Sequence, residues 1–166
     1  MKIAALQMIS GPNVTPNLAT AATLIAKAAA DGATLVALPE YFPLIGASDA
    51  ARLAVRETEG GGQIQDFLAS QAKQHGIWLV GGSLPLLADD ASKLRNACLV
   101  FDPSGQRVAR YDKIHLFGFK KGDEAYDEAR TIEAGNGVCS LTMRHKDNDW
   151  HIGIAICYDQ IGRAHV

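Results

Sequence analysis

The sequence predicts a mixed α/β domain, in which short buried strands alternate with amphipathic helices and antiparallel hairpins follow. The order strand, helix, strand occurs twice in residues 2–80, which is typical of parallel βαβ units. Beyond that point, two pairs of apolar segments are each joined by a polar turn, as in antiparallel hairpins. The predicted fold class is therefore α/β (α+β) with a mixed β-sheet that carries its helices on one face.

Three apolar runs in the first half of the chain are predicted to be buried strands. They are residues 2–8, 34–38 and 77–80, and each stops at glycine or proline. The third run continues into Gly81-Gly82, which indicates a close approach of two backbone segments because glycine has no Cβ.

Two amphipathic helices are predicted between these strands. The first is expected to start at Thr15-Pro16, a hydroxyl cap followed by proline, and to end at Gly32. The second is expected to end at His75-Gly76. The apolar faces are formed by Leu18, Ala21, Ala22, Ile25, Ala28 and Ala29 in the first helix and by Ile64, Phe67, Leu68 and Ala72 in the second.

The second half of the chain predicts two hairpins. Residues 96–101 and 107–111 flank a four-residue β-turn with glycine in its last position. Residues 138–143 and 151–156 flank a polar loop that includes residues 146–149. Both pairs are predicted to be antiparallel.

Composition excludes several classes of protein. The net charge is −2, with 20% charged and 48% hydrophobic residues, which excludes a nucleic-acid binder that relies on bulk positive charge. No apolar run approaches the roughly 20 residues of a membrane span, so we expect no membrane partner. The five histidines lack metal-ligand spacing and the glycine-rich segments lack nucleotide fingerprints. We therefore expect neither a metal nor a cofactor.

The cysteines indicate a reducing environment. Cys98, Cys139 and Cys157 are odd in number, widely spaced and without a CxxC pair. A disulfide framework is therefore not expected, and a cytoplasmic location is predicted. Cys98 and Cys139 lie within predicted strands and are expected to be buried structural thiols.

Three polar residues lie where predicted strands end, which is where α/β sheets bind ligands. Glu40 follows the second strand, Lys113 follows the first hairpin, and Cys157 follows the last strand. Singly, each has an ordinary alternative: a solvated or capping glutamate, a surface lysine and a small buried thiol. Together they supply a general base, a cation for an oxyanion and a nucleophile whose thiolate Lys113 would favour. The set predicts acyl transfer through a cysteine.

These residues lie in three segments that resemble a known family. Residues 38–42 are Leu-Pro-Glu-Tyr-Phe, residues 111–117 are Tyr-Asp-Lys-Ile-His-Leu-Phe, and residues 153–159 are Gly-Ile-Ala-Ile-Cys-Tyr-Asp. In order and spacing they resemble the signature blocks of the nitrilase (carbon–nitrogen hydrolase) superfamily. The resemblance implies an αββα sandwich, here incomplete, and a Glu–Lys–Cys triad.

The resemblance also implies roles for individual residues. Glu40 would be the general base, Cys157 would form a thioester, and Lys113 with the backbone N–H of Tyr158 would bind the oxyanion. A second glutamate of the family matches Glu128, which would orient Lys113 or the substrate amide. Glu124 is the competing match, and a solvated acidic loop is the alternative interpretation of this segment.

Within the superfamily, residues 113–117 are most similar to the branch of small ω-amidases and deaminated-glutathione amidases. We therefore expect hydrolysis of a non-peptide carbon–nitrogen bond, with ammonia released from a small carboxylate-bearing amide by water. Nitrile or N-carbamoyl hydrolysis is the alternative within the superfamily. Lys120-Lys121 or Arg130 could bind a substrate carboxylate, although surface charge also explains them. A homodimer or higher homo-oligomer is implied as well.

The end of the chain departs from the family pattern after Asp159. We expect residues 1–160 to be the N-terminal portion of a single carbon–nitrogen hydrolase domain. Residues 161–166 match one reading frame of a widely used sequencing-adapter oligonucleotide and are predicted to be a non-native tail. A second class of function therefore stays open: an active amidase for the full-length parent, but an inactive fragment for these 166 residues.

Overall fold

Helices, a six-stranded sheet and a two-stranded sheet form successive layers of the computed structural model, which describes residues 1–46 and 48–163. The helices are α1 (Val14–Ala30), α2 (Asp49–Ala54), α3 (Gln63–His75) and α4 (Tyr158–Arg163). The strands are β1 (Ile3–Ala5), β2 (Leu35–Ala37), β3 (Trp78–Val80), β4 (Leu84–Leu87), β5 (Leu94–Phe101), β6 (Arg107–Asp112), β7 (Gly118–Lys121), β8 (Glu124–Asp127), β9 (Cys139–His145) and β10 (Asn148–Ile154). Within the described ranges, no helix is both long and apolar enough to cross a membrane.

The six-stranded sheet is mixed, as predicted. β1, β2 and β3 pair in parallel, whereas β5 runs antiparallel to β3, β4 and β6. Ala97 of β5 pairs with Leu84 of β4 and with Asp112 of β6, so these two neighbours lie on opposite edges of β5. The mixed α/β class and the first predicted hairpin, which is β5–β6, are confirmed.

The two faces of this sheet are covered by different layers. Alternate side chains of a strand point to opposite faces, so Val36 of β2 contacts the helices and Leu35 contacts the opposite layer. On the helical face, α1 buries Leu18, Ala21, Ile25 and Ala28, and α3 buries Ile64, Leu68 and Ala72. The predicted apolar faces are thus largely confirmed.

The second hairpin, β9–β10, covers the opposite face. Met143 of β9 is buried with Leu35 and Val100 of the large sheet, and Ile152 and Ile154 of β10 pack around this cluster. Alternate residues of the hairpin are polar and exposed, which is the pattern of a sheet with one solvated face. The described chain therefore has the layer order α–β–β, consistent with an incomplete αββα sandwich.

The structure corrects two predicted boundaries. α1 begins at Val14 after Asn13, and Pro16 is tolerated in its first turn because the N–H groups there have no intrahelical acceptor. Thr15 is therefore helical and not the cap. The second hairpin turns at Lys146, with φ of 55°, and Asn148 is already paired in β10, so the predicted loop 146–149 is too long.

Other elements carried no clear pattern in the sequence. α2, β4, β7 and β8 were not predicted, because they are short and contain proline, charged or small residues. Of the predicted non-native tail, residues 161–163 continue the backbone of α4, and residues 164–166 lie outside the described residues.

Gly82 brings the segment that follows β2 against the end of β3, as Gly81-Gly82 predicted. Its φ is +56°, and a Cβ on Gly82 would lie 2.1 Å from the carbonyl oxygen of Pro39 and 2.8 Å from that of Leu38. The next residue, Ser83, accepts a hydrogen bond from the N–H of Tyr41 at 2.9 Å. This contact fixes the course of the chain on both sides of Glu40.

We expect Gly82→Ala to destabilise the protein more than Gly122→Ala. Both substitutions place alanine in a left-handed conformation, at a cost of about 1–2 kcal/mol. Only Gly82→Ala adds a steric clash, of about 1–3 kcal/mol, because a Cβ on Gly122 meets nothing within 4 Å. Urea unfolding followed by circular dichroism measures the difference, and equal losses for the two variants would contradict the close approach.

Asp159 ties the segment after β6 to the turn before α4. Its Oδ2 accepts hydrogen bonds from the hydroxyl of Tyr111 at 2.6 Å and from the N–H of Ile156 at 2.9 Å. Its Oδ1 accepts the N–H of His115 at 2.8 Å and lies 2.9 Å from the Nδ1 of that ring. Burial by itself would raise the pKa of Asp159, but these hydrogen bonds hold the pKa below its usual range. A charged carboxylate therefore joins two strand ends.

Asp159→Asn is expected to lower the free energy of unfolding at neutral pH by about 1–3 kcal/mol, because an amide cannot accept all of these hydrogen bonds. The stability that a lowered pKa of Asp159 provides is fully present at a pH above the pKa of the unfolded state, which is about 4. It is lost as the pH falls through the lower pKa of the folded state. The difference from wild type should therefore shrink in acid. Urea unfolding at several pH values tests this, with the exposed Asp123→Asn as control, and a difference independent of pH would argue against it.

Candidate active site

Glu40, Lys113 and Cys157 come together at the ends of three strands. Glu40 follows β2, Lys113 directly follows β6, and Cys157 lies between β10 and α4. The Nζ of Lys113 is 3.1 Å from Oε1 of Glu40. The carboxylate of Glu40 faces the thiol of Cys157, which also feels the charges of Lys113 and Glu128. Residues more than 100 positions apart in the sequence thus form one cluster.

A cleft of about 420 Å³ between the six-stranded sheet and the β9–β10 hairpin reaches Glu40 and Cys157 of this cluster. Glu40 and Cys157 lie on its wall together with Gly82 and Cys98. The rest of its lining is mainly apolar and comes from Ile3, Leu35, Ala37, Leu38, Val80, Ile152, Gly153, Ile154, Ala155 and Ile156. A small ligand bound there would have few polar groups to contact apart from the cluster itself.

Glu40 is held by two donors on the same oxygen. Its Oε1 accepts hydrogen bonds from Lys113 and, at 2.9 Å, from the side-chain amide of Asn96. Tyr41, the next residue, has a φ of 54°, a left-handed conformation that is strained for a tyrosine. Sequence reasoning missed Asn96, although a buried amide in a mostly apolar strand signals a need for a polar partner.

Lys113 is enclosed between two carboxylates. Its side chain has no exposed surface, and its Nζ lies 2.9 Å from Oε2 of Glu128 in addition to its contact with Glu40. Burial would lower the pKa of this ammonium, but the hydrogen bonds and charges of Glu128 and Glu40 raise it overall. Lys113 is therefore a fixed positive charge at neutral pH.

Glu128, and not Glu124, is the glutamate that contacts Lys113. It lies in a 3₁₀ turn, is only 5% exposed, and its Oε2 also accepts the N–H of Phe117 at 2.8 Å. Its own N–H donates to the carbonyl of Phe117 at 2.9 Å. Glu124 is exposed in β8. The burial and these contacts distinguish Glu128 from a residue of a solvated acidic loop.

Tyr41 contacts the other side of Glu128. Its hydroxyl lies 3.5 Å from Oε1 of that carboxylate. Burial, followed by the negative charges of Glu128 and Glu40, raises the pKa of Tyr41, so its hydroxyl stays protonated and acts as a donor. Tyr41 was not predicted as a site residue, because an aromatic side chain after a strand is usually part of the core.

Cys157 occupies a sharp turn between β10 and α4. Its φ is 48°, and it is exposed, as a nucleophile on a strand-to-helix turn would be. Burial and the facing Glu40 raise the pKa of this thiol, and the charge of Lys113 lowers it only in part. The expectation that Lys113 would favour the thiolate is therefore correct in direction, but the free site holds a protonated thiol.

Tyr158 starts α4 directly after this turn. As the first helical residue, its N–H belongs to the donors that have no intrahelical acceptor, so the predicted oxyanion contact is compatible with its place. Its ring packs edge-on against Phe117, with centroids 5.4 Å apart.

The remaining thiols are less accessible. Cys98 is buried, which raises its pKa to about 12, together with a smaller effect of the neighbouring Cys139. Cys139 is half-buried, so the expected burial is found fully for Cys98 and in part for Cys139.

The cations proposed for a substrate carboxylate lie on the surface. Lys120 and Lys121 are exposed in β7 and Arg130 is exposed at the end of the 3₁₀ turn, which favours the interpretation as surface charge. Sequence reasoning missed Arg52, whose guanidinium lies 5.3 Å from the ring centroid of Tyr41 and forms an ion pair with Asp49. Nothing in the pattern of the short helix α2 indicated this contact.

Comparison with known sequences gives a consistent assignment. The family model described as carbon-nitrogen hydrolase matches residues 2–163. The deaminated glutathione amidase of Synechocystis is 37% identical over 158 residues, which cover 94% of this chain and 57% of that protein. The human omega-amidase NIT2 is 33% identical over 160 residues, which cover 95% of this chain and 55% of that protein. The chain thus spans about half the length of the curated relatives it matches.

Solved structures agree with the sequence comparison. Saccharomyces cerevisiae Nit3, a member of branch 10 of the nitrilase superfamily, is 30% identical with a TM-score of 0.75, covering 95% of this chain and 56% of that one. The C. elegans NitFhit protein is 29% identical with a TM-score of 0.67, covering 81% of this chain and 33% of that one. The resemblance seen in the three sequence segments is confirmed, and the chain belongs to the carbon–nitrogen hydrolase family.

Proposed function

We propose that the protein hydrolyses a non-peptide carbon–nitrogen bond, as an amidase that releases ammonia from a small carboxylate-bearing amide through a cysteine thioester. The observation that carries the proposal is the buried Lys113 ammonium, held between Glu40 and Glu128 beside the exposed thiol of Cys157. The amidase names of relatives that share 33–37% of the sequence support the choice of an amide over a nitrile or N-carbamoyl substrate.

In the first half-reaction, Glu40 removes the proton of the Cys157 thiol as the sulfur attacks the amide carbon. The thiol is protonated at neutral pH, so a general base is needed. The carbonyl oxygen becomes an oxyanion bound by Lys113 and by the N–H of Tyr158. Glu40 then gives its proton to the nitrogen, the C–N bond breaks, and ammonia leaves a thioester.

In the second half-reaction, Glu40 removes a proton from water as the water oxygen attacks the thioester carbon. The same donors bind the second oxyanion. The C–S bond breaks, the sulfur takes the proton from Glu40, and the carboxylic acid leaves. Each oxyanion donor of this kind contributes about 2.7–4 kcal/mol to lowering the barrier.

Glu128 positions the cation in this scheme. An ammonium has three N–H donors, and the carboxylates of Glu40 and Glu128 take two of those of Lys113. The third is then directed at the oxyanion. The N–H of Phe117 holds Glu128 in place, so this direction does not depend on a mobile side chain.

Location, assembly and the activity of the chain by itself are also proposals. The three free cysteines support a reducing, cytoplasmic setting, and we propose a homodimer or larger homo-oligomer. We expect residues 1–166 alone to turn over slowly or not at all, because Ile3 on the wall of the cleft is 58% exposed and leaves the site open to water.

The amidase proposal is tested by ammonia release from the ω-amides of small dicarboxylic acids. Relative to whatever turnover the wild-type chain shows, Cys157→Ala should abolish it, Glu40→Gln should lower kcat by about 10²–10⁴-fold, and Lys113→Met should lower kcat by about 10²–10³-fold. Cys139→Ala, which changes a half-buried thiol of β9, is the matched control and should retain activity. Turnover that persists in Cys157→Ala would disprove the mechanism, and a folded wild-type chain without turnover would support the inactive-fragment alternative.

Thiol labelling tests the site without requiring turnover. With iodoacetamide at neutral pH, we expect Cys157 to react fastest, then Cys139, then Cys98, following their exposure. Glu40→Gln should accelerate labelling of Cys157, because it removes the charge that raises the pKa of this thiol while Lys113 stays in place. Mass spectrometry of peptides measures the three rates, and equal labelling of all cysteines would show that the site is not assembled.

A further inference from the structure

Asn96 contacts both charged partners of the proposed nucleophile. It lies in β5 with no exposed surface, and its side-chain amide donates to Oε1 of Glu40 at 2.9 Å. Its backbone carbonyl accepts the N–H of Lys113 at 3.0 Å. The pairing of β5 with β6 therefore fixes the base and the cation relative to one residue.

The carbonyl oxygen of the Asn96 side chain, Oδ1, is buried. Among the described residues, none donates a hydrogen bond to it. A buried acceptor without a partner lowers stability, so a leucine of similar shape would serve the core better. The exchange of oxygen and nitrogen would be worse still, because it would place an acceptor against the carboxylate of Glu40. The arrangement is therefore explained by Glu40 and not by packing.

We propose that Asn96 is a positioning residue for the general base: with Lys113, it occupies Oε1 of Glu40, so that Oε2 is the oxygen turned toward Cys157. The inference rests on the proposed role of Glu40. A carboxylate with one oxygen held by two donors cannot rotate freely, and only the remaining oxygen is available to take the proton of the thiol.

The charge environment sets the direction of the expected effect. The charged groups that face the thiol of Cys157 are Glu40, which follows β2, Lys113, which follows β6, and Glu128 in the 3₁₀ turn. Tyr41 faces both carboxylates. Without the Asn96 amide, the carboxylate of Glu40 is less well held in its orientation toward the thiol. A carboxylate that turns away accepts the thiol proton less well and repels the thiolate less, so the pKa of Cys157 should fall.

The test is the pH dependence of Cys157 alkylation by iodoacetamide in the full chain. Asn96→Leu and Asn96→Ala should both move the midpoint of the rate profile down by at least about 0.5 of a pH unit, toward the profile of Glu40→Gln. Two variants are used because leucine keeps the approximate shape of the asparagine side chain, whereas alanine removes that side chain beyond Cβ. Circular dichroism and cooperative urea unfolding establish that each variant is folded.

A double-mutant cycle separates positioning from a structural role. In the Glu40→Gln background, Asn96→Leu should leave the midpoint unchanged, because the charge through which it acts is gone. Asn17→Leu is the matched control: Asn17 is a buried asparagine of α1 that bonds the backbone carbonyls of Gly11 and Pro43, and its loss should lower stability without moving the midpoint. An unchanged midpoint in folded Asn96 variants, or the same shift in both backgrounds, would overturn the proposal.

This measurement is independent of catalysis. If the wild-type chain releases no ammonia but the Asn96 and Glu40 effects are coupled, the positioning role stands and the proposed activity fails for this chain. If ammonia is released and the coupling is absent, only the role of Asn96 fails. For an active protein, Asn96→Leu should also lower kcat at least about 10-fold with little change in KM, as expected for a group that acts through the base.

Discussion

The candidate site depends on the ion pairs that surround the buried ammonium of Lys113. A charge removed from water is costly unless opposite charges and hydrogen bonds surround it, and Glu40 and Glu128 provide both. These carboxylates come from the end of β2 and from a turn 88 residues later. Burial of this charge therefore requires distant segments of the chain to come together, and the cleft lies at the point where they meet.

The same electrostatics decide the state of the nucleophile. Burial, together with two nearby carboxylates, raises the pKa of Cys157 more than one ammonium lowers it, so the thiol keeps its proton until a base removes it. A protonated thiol is less prone to oxidation and unselective alkylation than a thiolate. The carboxylate that raises the pKa of Cys157 is also the group placed to accept its proton, so one residue both restrains and activates the nucleophile.

The backbone that carries these charged groups is held in strained conformations by specific contacts. Tyr41 and Cys157 both have positive φ values, a conformation that persists only where neighbouring contacts impose it. Those contacts are the hydrogen bond from Tyr41 to Ser83, the close approach of Gly82 and the carboxylate of Asp159. Strain at the site is thus offset by packing and hydrogen bonding in the fold around it.

The sequence alone predicts the order of β1, α1, β2, α3 and β3, the hairpins β5–β6 and β9–β10, and the segments that carry Glu40, Lys113 and Cys157. These are local properties, since hydrophobic period, turn residues and short motifs lie within a few positions of one another. Long-range packing is needed to establish that Glu128 contacts Lys113, that Asn96 holds Glu40 and that the thiol is protonated. Those outcomes depend on the register of β5 and on charges from separate segments, which no local pattern specifies.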